Sequence, residues 1–134
     1  MSKKLSFSII ILSFFFSIHV FSQDSNSVLN EISSAVKKSD ATKLAQFFNT
    51  TIDLEAGDSD GNFSKKQAEM IMKDFFKNTP VKSFTTNHKG SSNDGSKYMI
   101  GTYNSTNGDA YRVYILLKES SGKLFINQLQ FDKE

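Results

Sequence analysis

At Pro80, the only proline, the chain changes its hydrophobic period, and that change limits it to folds with a helical half and a sheet half. On the N-terminal side, Phe63 to Pro80 is marked as a helix at both ends. Ser64 and Gln67 have capping-box spacing, in which each side chain satisfies a free backbone N–H of the first turn. Ala68, Ile71, Met72, Phe75 and Phe76 recur at helical spacing and form one apolar stripe. Asn78 tolerates the left-handed terminal conformation, and Pro80 forbids a further turn. The spacing predicts a helix over Lys65–Lys77. Beyond Pro80, Lys82–Lys89, Lys97–Asn104, Asp109–Lys118 and Lys123–Phe131 alternate with the period of strands. Short Gly-containing loops separate them, as in consecutive antiparallel hairpins.

Upstream, Val28, Leu29, Ile32, Ala35 and Val36 mark a helix over Val28–Lys38. Asp40 is a good N-cap for a second helix over Ala41–Asn49, with Ala41, Leu44, Ala45 and Phe48 on one face. Thr51–Glu55 alternates as a short strand, and Gly57–Asn62 is turn chemistry with Asp60-Gly61 as the hairpin signal. Phe63 is placed to staple the first turn of the long helix. Helices followed by a meander define an α+β fold: N-terminal helices packed on a curved, four- to six-stranded antiparallel sheet. In the third long strand, Tyr111, Val113, Ile115 and Leu117 should face the helices. In the last, Phe125, Asn127, Leu129 and Phe131 should do so. The opposite rows, with Tyr114, Leu116, Ile126 and Gln128, are too apolar for a fully solvated face and point to partial cover. Gly101 marks a bend or bulge that lets the sheet curl.

The first residues read as an address. Lys3 and Lys4 precede an apolar run from Leu5 to Val20, and Ser22 supplies the small residue before Gln23. The run is shorter than the ~20 apolar residues of a spanning helix, so a cleaved secretory signal over Met1–Ser22 is expected. The expected location is secreted or periplasmic, with no membrane anchor after cleavage. Of 16 basic residues against 14 acidic ones, Lys3 and Lys4 lie in this leader. The remaining chain is neutral, which removes the basic stripe that nucleic-acid binding requires. The chain has no cysteine, so neither disulfide staples nor thiolate chemistry is available. Gln23–Glu134 is enough for one domain with a single core.

The element order resembles the cone-shaped nuclear-transport-factor-like superfamily, which includes ketosteroid isomerase and scytalone dehydratase. A closer resemblance is carried by Leu44–Asn49, Phe63–Glu69, Asp74-Phe75-Phe76, Ser83-Phe84 with His88–Ser91, Arg112-Val113-Tyr114 and Leu116-Leu117-Lys118. These segments are similar to a family of small secreted proteins of Gram-negative bacteria, the domain of unknown function DUF4783. The resemblance spans essentially all of Gln23–Glu134 and implies a curved sheet wrapped around the long helix, with a pocket at the open end of the cone. In the superfamily's enzymes, an acid or His inside the cone acts as base and a Tyr as oxyanion donor. By that resemblance Asp53, His88 and Tyr111 are the catalytic candidates, with Tyr98 and Tyr103 as further hydroxyls.

Each constellation also has a plain structural reading. Asp58–Asn62 suggests a calcium loop only superficially, since Ala56 and Gln67 stand where acidic ligands are needed; a turn is the better reading. His88 is the one histidine outside the leader, a candidate base or ligand at a pocket mouth that also suits a half-exposed strand end. With no cysteine and one histidine, no metal site is expected, and no cofactor. Arg112, the only arginine, suits an anionic partner or stacking on Tyr114. Met72 and Phe76, with Tyr98, Tyr103 and Tyr111, are expected to line a ligand pocket, Met being adaptable. Arg112, Tyr114, Leu116, Ile126 and Gln128 are expected to form a homodimer interface. The function that follows is a non-enzymatic binding protein for a small apolar ligand or a protein partner. The alternative is a small isomerase or hydrolase using a carboxylate or His base.

Overall fold

The structure, a computed structural model, describes residues 24–134; the leader expected over Met1–Ser22 lies outside them. Helix α1 (Ser25–Lys37) begins where Asp24 accepts the Asn26 N–H. It ends in a Schellman-type turn, with the Asp40 N–H bonded to the Ala35 carbonyl and Ser39 at φ +53°. Asp40 then caps α2 (Ala41–Ala45) by accepting the Lys43 N–H. This second helix stops four residues short of the Asn49 expected from its apolar spacing. Phe48 instead opens β1 (Phe48–Ala56), where its backbone joins the sheet and its ring stays in the core. A buried Phe satisfies either period, so tertiary pairing decides.

Strands β1 and β2 (Ser59–Ser64) form a hairpin whose turn is Gly57-Asp58, not Asp60-Gly61. Gly57 supplies the left-handed residue that a two-residue turn requires, at φ +58°. Asp60 and Gly61 pair instead with Glu55 and Leu54. Helix α3 (Lys65–Asn78) then starts from the expected capping box: Ser64 Oγ accepts the Gln67 N–H, and Gln67 accepts the Ser64 N–H. Ala68, Met72, Phe75 and Phe76 are buried, and Ile71 packs at the margin.

Strands β3 (Val81–Ser91), β4 (Lys97–Ser105), β5 (Ala110–Ser120) and β6 (Lys123–Lys133) follow as an antiparallel meander. The six-stranded sheet has the order β2-β1-β6-β5-β4-β3. It is antiparallel except between β1 and β6, which run parallel, so the sheet is mixed. The helices pack against one face, with α3 on β1 and β2 and α1 on β3. Gly101 does mark an irregularity: the β3–β4 register shifts between Thr86 and His88, opposite Gly101 and Ile100. A Cβ at Gly101 would lie 2.7 Å from both the Phe84 ring and the Thr85 carbonyl oxygen.

The rows of β5 face as expected, with Tyr111, Val113, Ile115 and Leu117 buried. The rows of β6 do not. Leu117 pairs with Ile126 but Leu116 with Gln128, leaving Asn127 as a bulged extra residue. The bulge switches faces mid-strand, so Leu124 and Ile126 point inward before it and Leu129 and Phe131 after it. Strict alternation cannot show such a switch.

Candidate functional site

The interior is closed by five rings. Phe75 packs against Phe76, Tyr103, Tyr111 and Phe131 with centroid separations of 4.7 to 6.1 Å. Tyr103 and Met72 are fully buried, so both belong to the core rather than to a ligand surface. The Tyr103 hydroxyl donates to the Thr79 carbonyl at 2.6 Å. Burial holds this phenol above its usual pKa. Phe76 borders a shallow surface cleft between the α1–α2 turn and Lys73 and Lys77 of α3.

One edge of the ring cluster stays open. Between the Gly57-Asp58 turn and the last turns of α3 lies a groove of about 430 Å³. Phe75 and Tyr111 form its floor, and Ile71 and Ala56 its apolar sides. Met70, 55% exposed, stands at its lip and is the one exposed large hydrophobic among the described residues. Asp58 and Asp74 enter the lining from opposite walls, the turn and the helix. Tyr111 is only 7% exposed, and its hydroxyl, which no other described residue hydrogen-bonds, is not sealed from solvent. That groove contains one sequence-expected ligand residue, Tyr111. Asp58 enters the sequence reading only within a calcium-like turn and Asp74 only within a family-like motif, because nothing in their spacing places a hairpin turn against the end of α3.

The remaining candidates lie on the opposite face of the sheet. Asp53 and Glu55 project outward from β1, alternating with the buried Ile52, Leu54 and Ala56. Repulsion from Asp132 first, then partial burial and the charges of Asp60 and Asp53, raises the Glu55 pKa. His88 is exposed, and its Nε2 lies 2.9 Å from Tyr98 Oη on the neighbouring strand. Gly90 makes room for that ring, since a Cβ there would fall 2.3 Å from it. Asp53 and His88 are thus separated from Tyr111 by the sheet itself. Arg112, Tyr114, Leu116 and Gln128 do share this outer face, Arg112 lying 4.0 Å from Asp132. Ile126 does not; it is fully buried under the helices because of the β6 bulge. No cluster of three or more His, Asp or Glu side chains among the described residues could hold a metal ion.

Three helices on one face of a curved sheet, with a groove at the open end, define a nuclear-transport-factor-like α+β cone. The chain belongs to the family described as Domain of unknown function (DUF4783), whose model matches residues 29–132. A solved DUF4783 protein from Bacteroides uniformis ATCC 8492 is 28% identical, with a TM-score of 0.74 over 80% of this chain and 97% of that one. The designed protein "Rd1NTF2_04 with long sheet" shares the fold alone, at 17% identity and a TM-score of 0.64 over 81% of this chain and 99% of the design. So does a protein of unknown function with a cystatin-like fold from Nostoc punctiforme PCC 73102. It is 11% identical, with a TM-score of 0.62 over 81% of this chain and 87% of that one. No curated protein matches the chain.

Proposed function

We propose that this protein is an exported, non-enzymatic binding module whose groove takes a small, mainly apolar ligand. The observation that carries this reading is the groove floored by the edge of the Phe75 and Tyr111 rings, beneath an exposed Met70. The groove's size falls within the ordinary range for small-molecule sites, and its lining joins an apolar side of Ala56, Met70, Ile71 and Phe75 to a polar rim of Asp58, Asp74 and Asn78. The alternative, an isomerase or hydrolase, requires a base inside the cone. Asp53 and His88 face the other way, which favours the binding reading. Native mass spectrometry of protein purified from its own cell envelope tests it. A small adduct that is lost on denaturation is expected. A bare mass, together with no spectral change on titration with n-hexanol, would overturn it.

A second copy of the chain is the partner that the outer sheet face suits. Two rows cross it: Asp53, Gln128, Leu116 and Tyr98, and beside them Glu55, Gln130, Tyr114 and Ile100. Their centre is apolar, and no helix covers it. The β1–β2–β6 half carries Asp53, Glu55, Asp60 and Asp132, whereas the β3–β5 half carries Arg112, Lys118 and His88. A two-fold antiparallel pairing sets each acidic half over the partner's basic half, the self-complementarity that an isologous interface needs.

A further inference from the structure

Resting on the reading of the groove as a ligand site, we infer that its ligand carries a primary ammonium group on an apolar stem. Four features converge. Asp58 and Asp74 both line the groove, and neither takes part in an ion pair among the described residues. No lysine or arginine lines it. The wall formed by Asp74, Asn78 and the end of α3 is the negative pole of that helix, where cations are stabilised. The fourth feature is independent of charge: the Tyr111 hydroxyl, on a side chain more than nine-tenths buried, meets the groove without a hydrogen-bond partner. A phenol oxygen accepts a hydrogen from an ammonium, and aromatic faces attract the same cation.

The apolar contacts and the polar ones divide the ligand between them. Ile71 and Phe75 lie one turn apart on α3, with Met70 beside Ile71 at the lip, and together they suit an aliphatic or aromatic stem. The two carboxylates and the Tyr111 hydroxyl suit a compact donor with three hydrogens, which an ammonium supplies and a guanidinium supplies only in a plane. An anionic amphiphile such as a fatty acid meets two unpaired carboxylates and is rejected.

The test is an amide NMR titration with n-hexylamine, n-hexanol and hexanoate at neutral pH. Hexylammonium is expected to shift Gly57, Asp58 and Asp74 and to bind at least about tenfold more tightly than hexanol, with hexanoate weakest. Asp58→Asn with Asp74→Asn, both at exposed positions, should bring hexylamine down to the affinity of hexanol. Tyr111→Phe keeps the ring in the core and should cost the amine severalfold while leaving hexanol unchanged. Leucinamide against N-acetyl-leucinamide separates a peptide amino terminus from a free amine as the source of the ammonium. Equal binding of hexylamine and hexanol overturns the inference and leaves the apolar groove standing. Binding of neither overturns both.

Discussion

Tyr103 carries two constraints at once, a ring inside the aromatic cluster and a hydroxyl tied to the Thr79 carbonyl. Because its folded pKa is raised, the folded state holds its proton more tightly than the unfolded one. The contribution to stability is complete below the unfolded value of about 10 and is lost as pH rises beyond it. Urea midpoints measured from pH 8 to pH 11 should therefore fall at the alkaline end in the wild type and fall less in Tyr103→Phe. Ser39 illustrates a different cost. It sits at φ +53° with a buried hydroxyl that makes no well-formed hydrogen bond. Ser39→Gly relieves both and should stabilise the protein by about 1 kcal/mol in chemical denaturation.

Among the elements, β6 is where one residue decides the most. Deleting Asn127 removes the bulge and leaves Ile126, Leu129 and Phe131 on one regularly alternating inward row, with Leu117–Ile126 and Leu116–Gln128 already in step. The deletion should keep cooperative unfolding in calorimetry and lower its midpoint, because the Asn49 hydrogen bond to Asn127 is lost; loss of cooperativity would mean that the sheet needs the bulge to curl. Across the sheet, Gly101→Val forces a side chain against the Thr85 carbonyl and the Phe84 ring. Thr85 is backbone that cannot yield, so a loss of roughly 1–3 kcal/mol is expected. Helix α3 behaved as its sequence signals required, because cap, stripe and stop are all local. The hairpin turn and the end of α2 did not, because two competing local signals were settled by strand pairing.

For the whole molecule, the outer sheet face sets the prediction. Sedimentation at high concentration should give a dimer, and Tyr114→Glu with Leu116→Glu should give a folded monomer, since both side chains are half-exposed on that face. A monomeric wild type would remove the proposed pairing. N-terminal sequencing of the exported protein should begin at Gln23; a chain that starts at Met1 and sediments with washed membranes would contradict the proposed leader. The two proposed roles fall on opposite faces: the groove lies on the helix side and the proposed pairing surface on the other, with the sheet between them.

By itself, the sequence determined what local chemistry can encode. The capping box at Ser64 and Gln67, the Phe75 and Phe76 stripe and the period change at Pro80 were enough for an α+β fold with helices packed on a sheet, and the resemblance of the element order to a known superfamily implied the cone. Tertiary structure alone decided which side chains meet. Asp58, Asp74 and Tyr111 are far apart in the chain and share no spacing, and they gather only because the Gly57 turn folds against the end of α3. It also decided that Ile126 is core and that Asp53 and His88 face outward, through a bulge and a face assignment that period-two patterns leave undetermined. A local signal survives in any context, whereas a site assembled from long-range contacts exists only once the sheet has closed around the helix.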